Sequence, residues 1–335
     1  MAERKGKRVL VSGGGGFIGS HLVDALLAAG HEVWVFDNWS TGRPSNLVDA
    51  YAHKPGVHTH VGSVSWWHDV KQAFGESLPE VVFHLAAQTD VRISVTDPVH
   101  DMVTNVEGTL NVLRACDEFG VRRFVLASSA AVYGHHTDPV DLGTPYAPIS
   151  PYGASKAAAE GYAAMFDRLA TYRGVLTIGE APNCTTVIMS NVYGPRQRPG
   201  AGAVNIFARA LLAGEPMTLY GDGHNVRDYV YVTDAVRTLQ WAGGCLPADY
   251  RSWWPSRVLC GTGVGTTDAD LLSVVAREVE RQAGAPMWVE GLTEARPTRP
   301  EDIRSMVFAG ERVGRIPLAE GVRLTVEALR KELGL

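Results

Sequence analysis

The chain has 335 residues, 45% apolar and 20% charged, with 31 Lys+Arg against 36 Asp+Glu and a formal net charge of -5. This composition excludes a disordered polymer, and it argues against nucleic acid as the main partner, because a phosphate backbone selects a basic face. No apolar run nears the ~20 residues of a membrane span, and no signal-peptide core follows the basic N-terminus, so a cytoplasmic protein without a membrane partner is expected.

In chain order, Arg8–Ser12 is an apolar run that leads into a glycine cluster, and a helical pattern follows over 17–29. Strands are predicted at Glu32–Asp37, Val57–Val61, 81–87 and 123–128, with a long helix over 99–119. Continuous apolar strands alternating with helices read as a parallel sheet covered on both faces. An Ala-rich helix is predicted over 152–170 and a strand over 185–190. Beyond that point the pattern loosens. Helices are expected over 202–213, 233–242, 267–283 and 319–333, with extended stretches at Met217–Tyr220 and 228–232. The expected fold is α/β: a Rossmann-type doubly wound parallel sheet with a smaller mixed α/β C-terminal substrate lobe. The first domain is placed at 1–185, with part of 228–265 returning to the sheet, and the second at 186–335. Cys116, Cys184, Cys245 and Cys260 lie far apart with no C-x-x-C spacing, so neither a metal site nor a disulfide framework is expected.

Gly13, Gly16 and Gly19 form G-x-x-G-x-x-G between the first strand and the first helix. Glycine there permits a tight turn, lets the backbone approach a pyrophosphate and allows close helix–strand packing. A helix N-terminus then faces the anion. Asp37 ends the second strand 24 residues after Gly13, near the spacing of the acid that binds the adenosine ribose. An acid at that place repels a 2′-phosphate and favours NAD, while Arg43 keeps NADP open.

Tyr152 and Lys156 form Y-x-x-x-K on a predicted helix, which puts phenol and ammonium on one face. A tyrosine is a poor base near neutral pH unless a cation favours its phenolate. Lys156 and a bound nicotinamide are expected to supply that charge. Ser129 lies at the carboxyl end of the fifth strand, where ligands of such sheets bind. Tyr133 and Ser128 read as residues with packing or backbone roles, and His84 as a residue that positions the cofactor wall. His58, His60, His135 and His136 read as surface residues.

Longer motifs extend this picture: SGGGGFIGSHLVDALL (12–27), FDNWSTGR (36–43), HLAAQ (84–88), SSAAVYG (128–134), PYGASK (151–156), NVYGPRQRP (191–199), YGDGHNVRDYVYVTD (220–234) and RPED (299–302). In these the chain resembles the extended short-chain dehydrogenase/reductases, specifically the NAD-dependent nucleotide-sugar epimerase/dehydratase group, and most of all UDP-sugar 4-epimerases. The resemblance implies NAD held by Gly13, Gly16, Phe17, Ile18 and Gly19, by Asp37, Asn38, Ser40, Thr41 and Gly42, by Ser63 and Val64, by Leu85, Ala86, Ala87 and Gln88, and by Tyr152 and Lys156. It implies that Tyr152 takes a proton from a sugar hydroxyl oriented by Ser129, while Lys156 holds the nicotinamide ribose. Arg227 and Arg299 would meet a nucleotide diphosphate, Asp302 the nucleotide ribose, and Asn191, Tyr220 and Val204 the rest of the ligand. A homodimer formed by the helices at 99–119 and 152–170 is also implied.

Dehydratases of this group carry an Asp-Glu pair beside the serine, where this chain has Ala130 and Ala131. UDP-glucuronate decarboxylases keep a Glu at the second of these positions. The expected reaction is therefore 4-epimerisation of a nucleotide-activated, UDP-linked hexose or hexuronic acid. A dehydratase that uses Asp90 or Glu180 stays open, as does a non-catalytic NAD-binding regulator. Arg198 matches the residue that meets a C6 carboxylate in UDP-glucuronate 4-epimerases, and Asp90, close to the sugar by the same resemblance, argues against an acidic sugar. Ser63 stands where the family usually has an Asp. The stretches 172–184 and 246–256 are longer than usual.

Overall fold

The structure is a computed structural model that describes residues 6–52, 57–176, 183–220, 222–246, 255–284, 293–297, 299, 302–309 and 314–335. Gly221 and Glu180, and residues 177–182 and 247–254 of the long stretches at 172–184 and 246–256, lie outside the described residues. The first half runs β1 (Arg8–Ser12), α1 (Phe17–Ala28), β2 (Glu32–Asp37), α2 (Val48–Ala52), β3 (Val57–Val61), α3 (Trp67–Ser77), β4 (Val81–His84), α4 (Val91–Thr96), α5 (Pro98–Met102), a π-helical turn (Val103–Glu107), α6 (Gly108–Glu118), β5 (Arg123–Ser129) and α7 (Pro151–Leu176). It continues with β6 (Asn183–Met189), β7 (Asn191–Tyr193), α8 (Ala203–Ala213), β8 (Met217–Tyr220), β9 (Val226–Tyr231), α9 (Val232–Ala242), β10 (Arg257–Cys260), β11 (Gly265–Thr267), α10 (Asp268–Ala283), β12 (Thr293–Arg296), β13 (Ser305–Met306) and α11 (Leu318–Leu333).

A seven-stranded sheet has the order β10-β6-β5-β4-β1-β2-β3. The pairs from β3 through β2, β1 and β4 to β5 are parallel. Val9, Leu10 and Val11 of β1 and Val81, Val82 and Phe83 of β4 are buried, because these strands are covered on both faces. β3 lies at the sheet edge, and its sequence VHTHV is correspondingly polar and partly exposed. α1 and α6 each stop at a left-handed glycine, Gly30 and Gly120. The His31 N–H reaches the Leu26 carbonyl (3.1 Å) and the Val121 N–H reaches that of Cys116 (2.9 Å), the hydrogen bonds of a Schellman stop.

Two predicted elements differ. The strand expected over 81–87 ends at His84, because the next peptides turn onto Ser12: the Leu85 N–H donates to its carbonyl (3.0 Å) and the Ala86 N–H to its hydroxyl (3.4 Å). The helix expected over 99–119 is three pieces. Pro98 opens α5, and the π turn interrupts the run before α6.

The chain divides into two compact units. The first comprises Met1–Val132, Tyr146–Ile188 and Val236–Val258, and the second Tyr133–Pro145, Met189–Ala235 and Leu259–Leu335. In the second unit β7, β11 and β13 all pair with β9, and β12 pairs with β8. Its apolar core is supplied by one face each of α8 (Val204, Phe207, Leu211), α10 (Leu271, Val275, Val279) and α11 (Val322, Val326, Leu329). Asp228, fully buried on β9, accepts from the Thr262 N–H (2.8 Å), the Thr262 hydroxyl (2.6 Å) and the Gly263 N–H (2.9 Å), and so ties that strand to the loop before β11. All four cysteines are buried. Among the described residues no helix is long and apolar enough to cross a membrane, and no cluster of metal-ligating side chains occurs.

Candidate active site

The glycine loop of the first unit is shaped for a ligand that approaches backbone. Gly13 has φ +72°, and a Cβ there would lie 2.6 Å from the Ala86 nitrogen. A Cβ at Gly19 would lie 2.1 Å from the Gly13 carbonyl oxygen. Gly16 caps α1 with no side-chain hydrogen bond, which leaves the first-turn N–H groups of the helix facing outward. Such a bare helix start fits the pyrophosphate of a dinucleotide. Asp37 is buried, and its two oxygens accept from the Gly15 N–H (2.9 Å) and the Trp39 N–H (2.8 Å). Burial pushes its carboxyl above the usual range, against the two N–H groups that hold it down. Each carboxylate oxygen keeps a second acceptor site, which is what ribose hydroxyls require.

Around Asp37, Asn38 accepts from the Ser40 N–H (3.0 Å), Gly42 packs on the Asp37 carboxylate, and Ser40 and Thr41 are exposed. Trp39 is held at φ 59°, and its ring lies where a Cβ on Gly15 would fall, 2.3 Å away. Gly15 thus answers to Trp39, a requirement the motif of Gly13, Gly16 and Gly19 does not reveal. Val64 is buried against Gly108. Phe17, Ile18, Leu85, Ala86 and Ala87 are partly buried. The Ser63 N–H donates to Asp69 (2.9 Å), so an acid does stand next to the position where Ser63 departs from the family pattern.

On α7, Tyr152 and Lys156 are one turn apart, and the Ser129 hydroxyl bears on the Tyr152 phenol. Lys156 is buried and donates from Nζ to the Ala127 carbonyl (3.1 Å). Burial lowers its ammonium to about 8, while the Asp101 and Glu160 carboxylates oppose the fall. Lys156 and a bound nicotinamide are expected together to draw Tyr152 toward neutral pH, and the chain without the nicotinamide starts from the opposite side. Burial pushes the phenol up to about 12, Asp101 adds to the rise, and the Ser129 hydroxyl only moderates it.

A column of buried hydrogen bonds supports this group. Thr109 donates to the Asn105 carbonyl (2.6 Å) and therefore accepts from His84 Nε2 (3.0 Å), which leaves His84 Nδ1 to accept from Ser12 (2.7 Å). Burial first, and the Lys156 charge second, lower His84 to about 3, so it is a neutral spacer. The Asn105 side chain exchanges hydrogen bonds with the Gln88 backbone (2.8 and 3.0 Å) and donates to Ser155 (3.0 Å) on α7. Gln88 and Asn105 both donate to Asp101 Oδ1, at 2.9 and 3.1 Å. Glu160, one turn beyond Lys156, accepts from the hydroxyls of Ser128 and Tyr146. Ser128 is thus a hydrogen-bonding residue rather than simple packing. Asp101, Asn105 and Glu160 escaped the sequence reading, since a polar residue on a helix reads as solvated. Asp90 caps α4 and holds Arg92 in a two-pronged pair (3.0 and 2.7 Å), which lowers its carboxyl to about 2.

In the second unit, Arg299 pairs with Asp302 through two 3.1 Å bonds, and its guanidinium lies 4.2 Å from the Tyr220 ring centroid. Pro300 and Glu301 of that motif lie outside the described residues. Arg227 is on β9, near Asp268, and donates to the Val226 carbonyl (3.0 Å). Asn225 ties Tyr220 to Asp268. Asn191 reaches the Asp228 carbonyl (3.5 Å), and Arg198 is partly buried. Val204 is fully buried on α8, within the core rather than on a surface.

Residues 9–243 match the model of the NAD dependent epimerase/dehydratase family. A UDP-glucose 4-epimerase of Mycolicibacterium smegmatis is 39% identical over 97% of this chain and 99% of its own length. The solved UDP-glucose 4-epimerase of Thermotoga maritima with UDP-glucose superposes with a TM-score of 0.82 at 34% identity, over 97% of this chain and 99% of that one. That of Thermus thermophilus with NAD gives 0.81 at 37% identity, over 96% and 99%. With the glycine cradle, the ribose-type acid and the Ser-Tyr-Lys group in place, the chain belongs to the NAD-dependent epimerase/dehydratase family.

Proposed function

We propose that this protein inverts C4 of a UDP-linked hexose or hexuronic acid. One observation carries the reading: Tyr152 and Lys156 are one turn apart on α7, Lys156 reaches the Ala127 carbonyl near the end of β5 that carries Ser129, and the two residues beside the serine are Ala130 and Ala131. Methyl groups cannot deliver or remove the further protons that elimination of water needs. Tyr152 takes the proton of the C4 hydroxyl, Ser129 orients that hydroxyl, and Lys156 supplies a buried positive charge beneath them. NAD, held by the glycine loop, Asp37 and Lys156, would supply a reversible hydride acceptor for C4 and would not be consumed.

In the second unit Arg227 and Arg299 bind the diphosphate, Asp302 and Tyr220 the nucleoside, and Asn191 the linked sugar phosphate. Arg198 meets a C6 carboxylate where the sugar has one. Asp90 does not stand against an acidic sugar, because Arg92 neutralises it. That pairing also makes Asp90 a poor proton donor, which weakens the dehydratase reading; Glu180 lies outside the described residues. The regulator reading is weakened by the intact Ser-Tyr-Lys group.

The homodimer reading draws support from an exposed apolar strip: Val99 and Met102 on α5, and Tyr162, Met165 and Leu169 on α7. Incubation with NAD and a panel of UDP-sugars, followed by proton NMR of the products, tests the activity. Loss of water from any of them, or an unchanged C4 in all, would remove the epimerase reading.

A further inference from the structure

Asp101 is 1% exposed on α5, far from the surface that suits a carboxylate. Its Oδ1 accepts from Gln88 (2.9 Å) and Asn105 (3.1 Å), yet Oδ2 has no hydrogen-bond partner among the described residues. It makes no ion pair among them either. A buried carboxylate is tolerated when a nearby cation offsets its desolvation. α5 packs on α7, which carries the buried cation Lys156. Asn105 joins Asp101 to Ser155, whose hydroxyl donates to the Tyr152 carbonyl (3.0 Å).

We propose that Asp101 is a positioning residue, the buried counter-charge that sets the protonation of Tyr152 and Lys156 while Gln88 and Asn105 hold it at fixed distance. The proposal rests on the reading of Tyr152 as the base. The Asp101 charge acts on both groups in the same direction, holding a proton on each. Glu160 acts on Lys156 as well, but its oxygens are taken by Ser128 and Tyr146, and Arg257 lies 3.7 Å away.

The other charged or titratable groups near α5 are accounted for. Asp90 and Arg92 of α4 neutralise each other. His84 is neutral. Glu107 of the π turn, His100 of α5 and its capping Asp97 are exposed. The proton held on Tyr152 would keep the base inactive until a second positive charge enters the site.

Asp101→Asn keeps an acceptor for Gln88 and Asn105 and removes only the charge. Both protonation midpoints should then fall together. Two readouts test this. The first is the 13Cε signal of Lys156 in lysine-labelled, cofactor-free protein, assigned by its loss in Lys156→Met. Its midpoint should fall by about one pH unit in Asp101→Asn and stay in place in Asp101→Glu. The second is the pH profile of turnover by the NAD-loaded enzyme, which should move acidward on both limbs rather than only lose height. Should the Asn variant give too little folded protein, Asp101→Ser carries the same expectation. An unmoved Lys156 midpoint overturns the proposal, whatever the activity. A moved midpoint in a protein without turnover upholds the counter-charge and faults the functional reading instead.

Discussion

Gly13 and Gly16 belong to one motif, but the structure separates what each does. Gly13→Ala places a Cβ at φ +72°, 2.6 Å from the Ala86 nitrogen and 2.8 Å from the Leu85 carbonyl carbon. Left-handed backbone costs about 1–2 kcal/mol for an alanine, and a clash with backbone adds about 1–3 kcal/mol. The sum, about 2–5 kcal/mol, falls on the fold itself. At roughly 2 °C per kcal/mol for a chain of this length, Tm should drop by about 4–10 °C without cofactor. Gly16→Ala differs: φ is −73°, and the nearest atom to a new Cβ is the Gly13 carbonyl oxygen at 3.1 Å. Its fold should lose no more than about 1 kcal/mol, the cost of alanine at a helix cap. The new methyl group does, however, stand where a pyrophosphate would approach the helix start. We expect NAD affinity to fall about 30-fold, or about 2 kcal/mol. Thermal melts with and without NAD, together with calorimetric titration of NAD, separate the two variants. If Gly16→Ala binds NAD as tightly as the unaltered chain, the loop does not cradle the cofactor.

Other expectations follow from the same geometry. Lys156 has its proton affinity lowered from 10.5 to about 8, so between those values the unfolded chain binds more protons and stability rises with pH. Lys156→Met should therefore remove a rise in stability of about 2 kcal/mol between pH 8 and 10 in the cofactor-free protein while abolishing turnover, as read by urea denaturation at several pH values. A Lys156→Met protein that keeps the parent's full rise in stability between pH 8 and 10 would contradict the burial argument. Met165 is 50% exposed on α7, and Met165→Glu should turn a dimer into a monomer in sedimentation equilibrium; a parent chain that is already monomeric would dispose of the dimer reading. Arg198→Ala should reduce kcat/KM at least about tenfold more for a UDP-hexuronate than for the neutral sugar, an excess of about 1.4 kcal/mol, and equal losses would clear Arg198 of the carboxylate role.

Much of the architecture is legible in the sequence because parallel strands buried on both faces are written as unbroken apolar runs, as in β1, β4 and β5. Ser129, Tyr152 and Lys156 are legible because their spacing follows helix and strand geometry. What escapes is set by partners distant in sequence. The run over 99–119 keeps a helical hydropathy pattern, and the π turn within it reflects Asn105 and Thr109 bonding to Gln88 and His84. Asp101 and Glu160 look like solvated helix residues until Gln88, Ser128 and Tyr146 are seen to enclose them. The 133–145 excursion into the second unit carries no hydropathic mark. Trp39 shows the same limit at short range: its left-handed backbone follows from the Asp37 carboxylate that receives its N–H.

The most direct test of the account is proton NMR of the product formed from UDP-glucose, and separately from UDP-glucuronate, by the NAD-loaded enzyme. An equilibrium mixture of C4 epimers is expected for at least one of them, at unchanged mass and with no net NADH. A product lighter by water or carbon dioxide, or a C4 that keeps its configuration across the whole UDP-sugar panel, would contradict it.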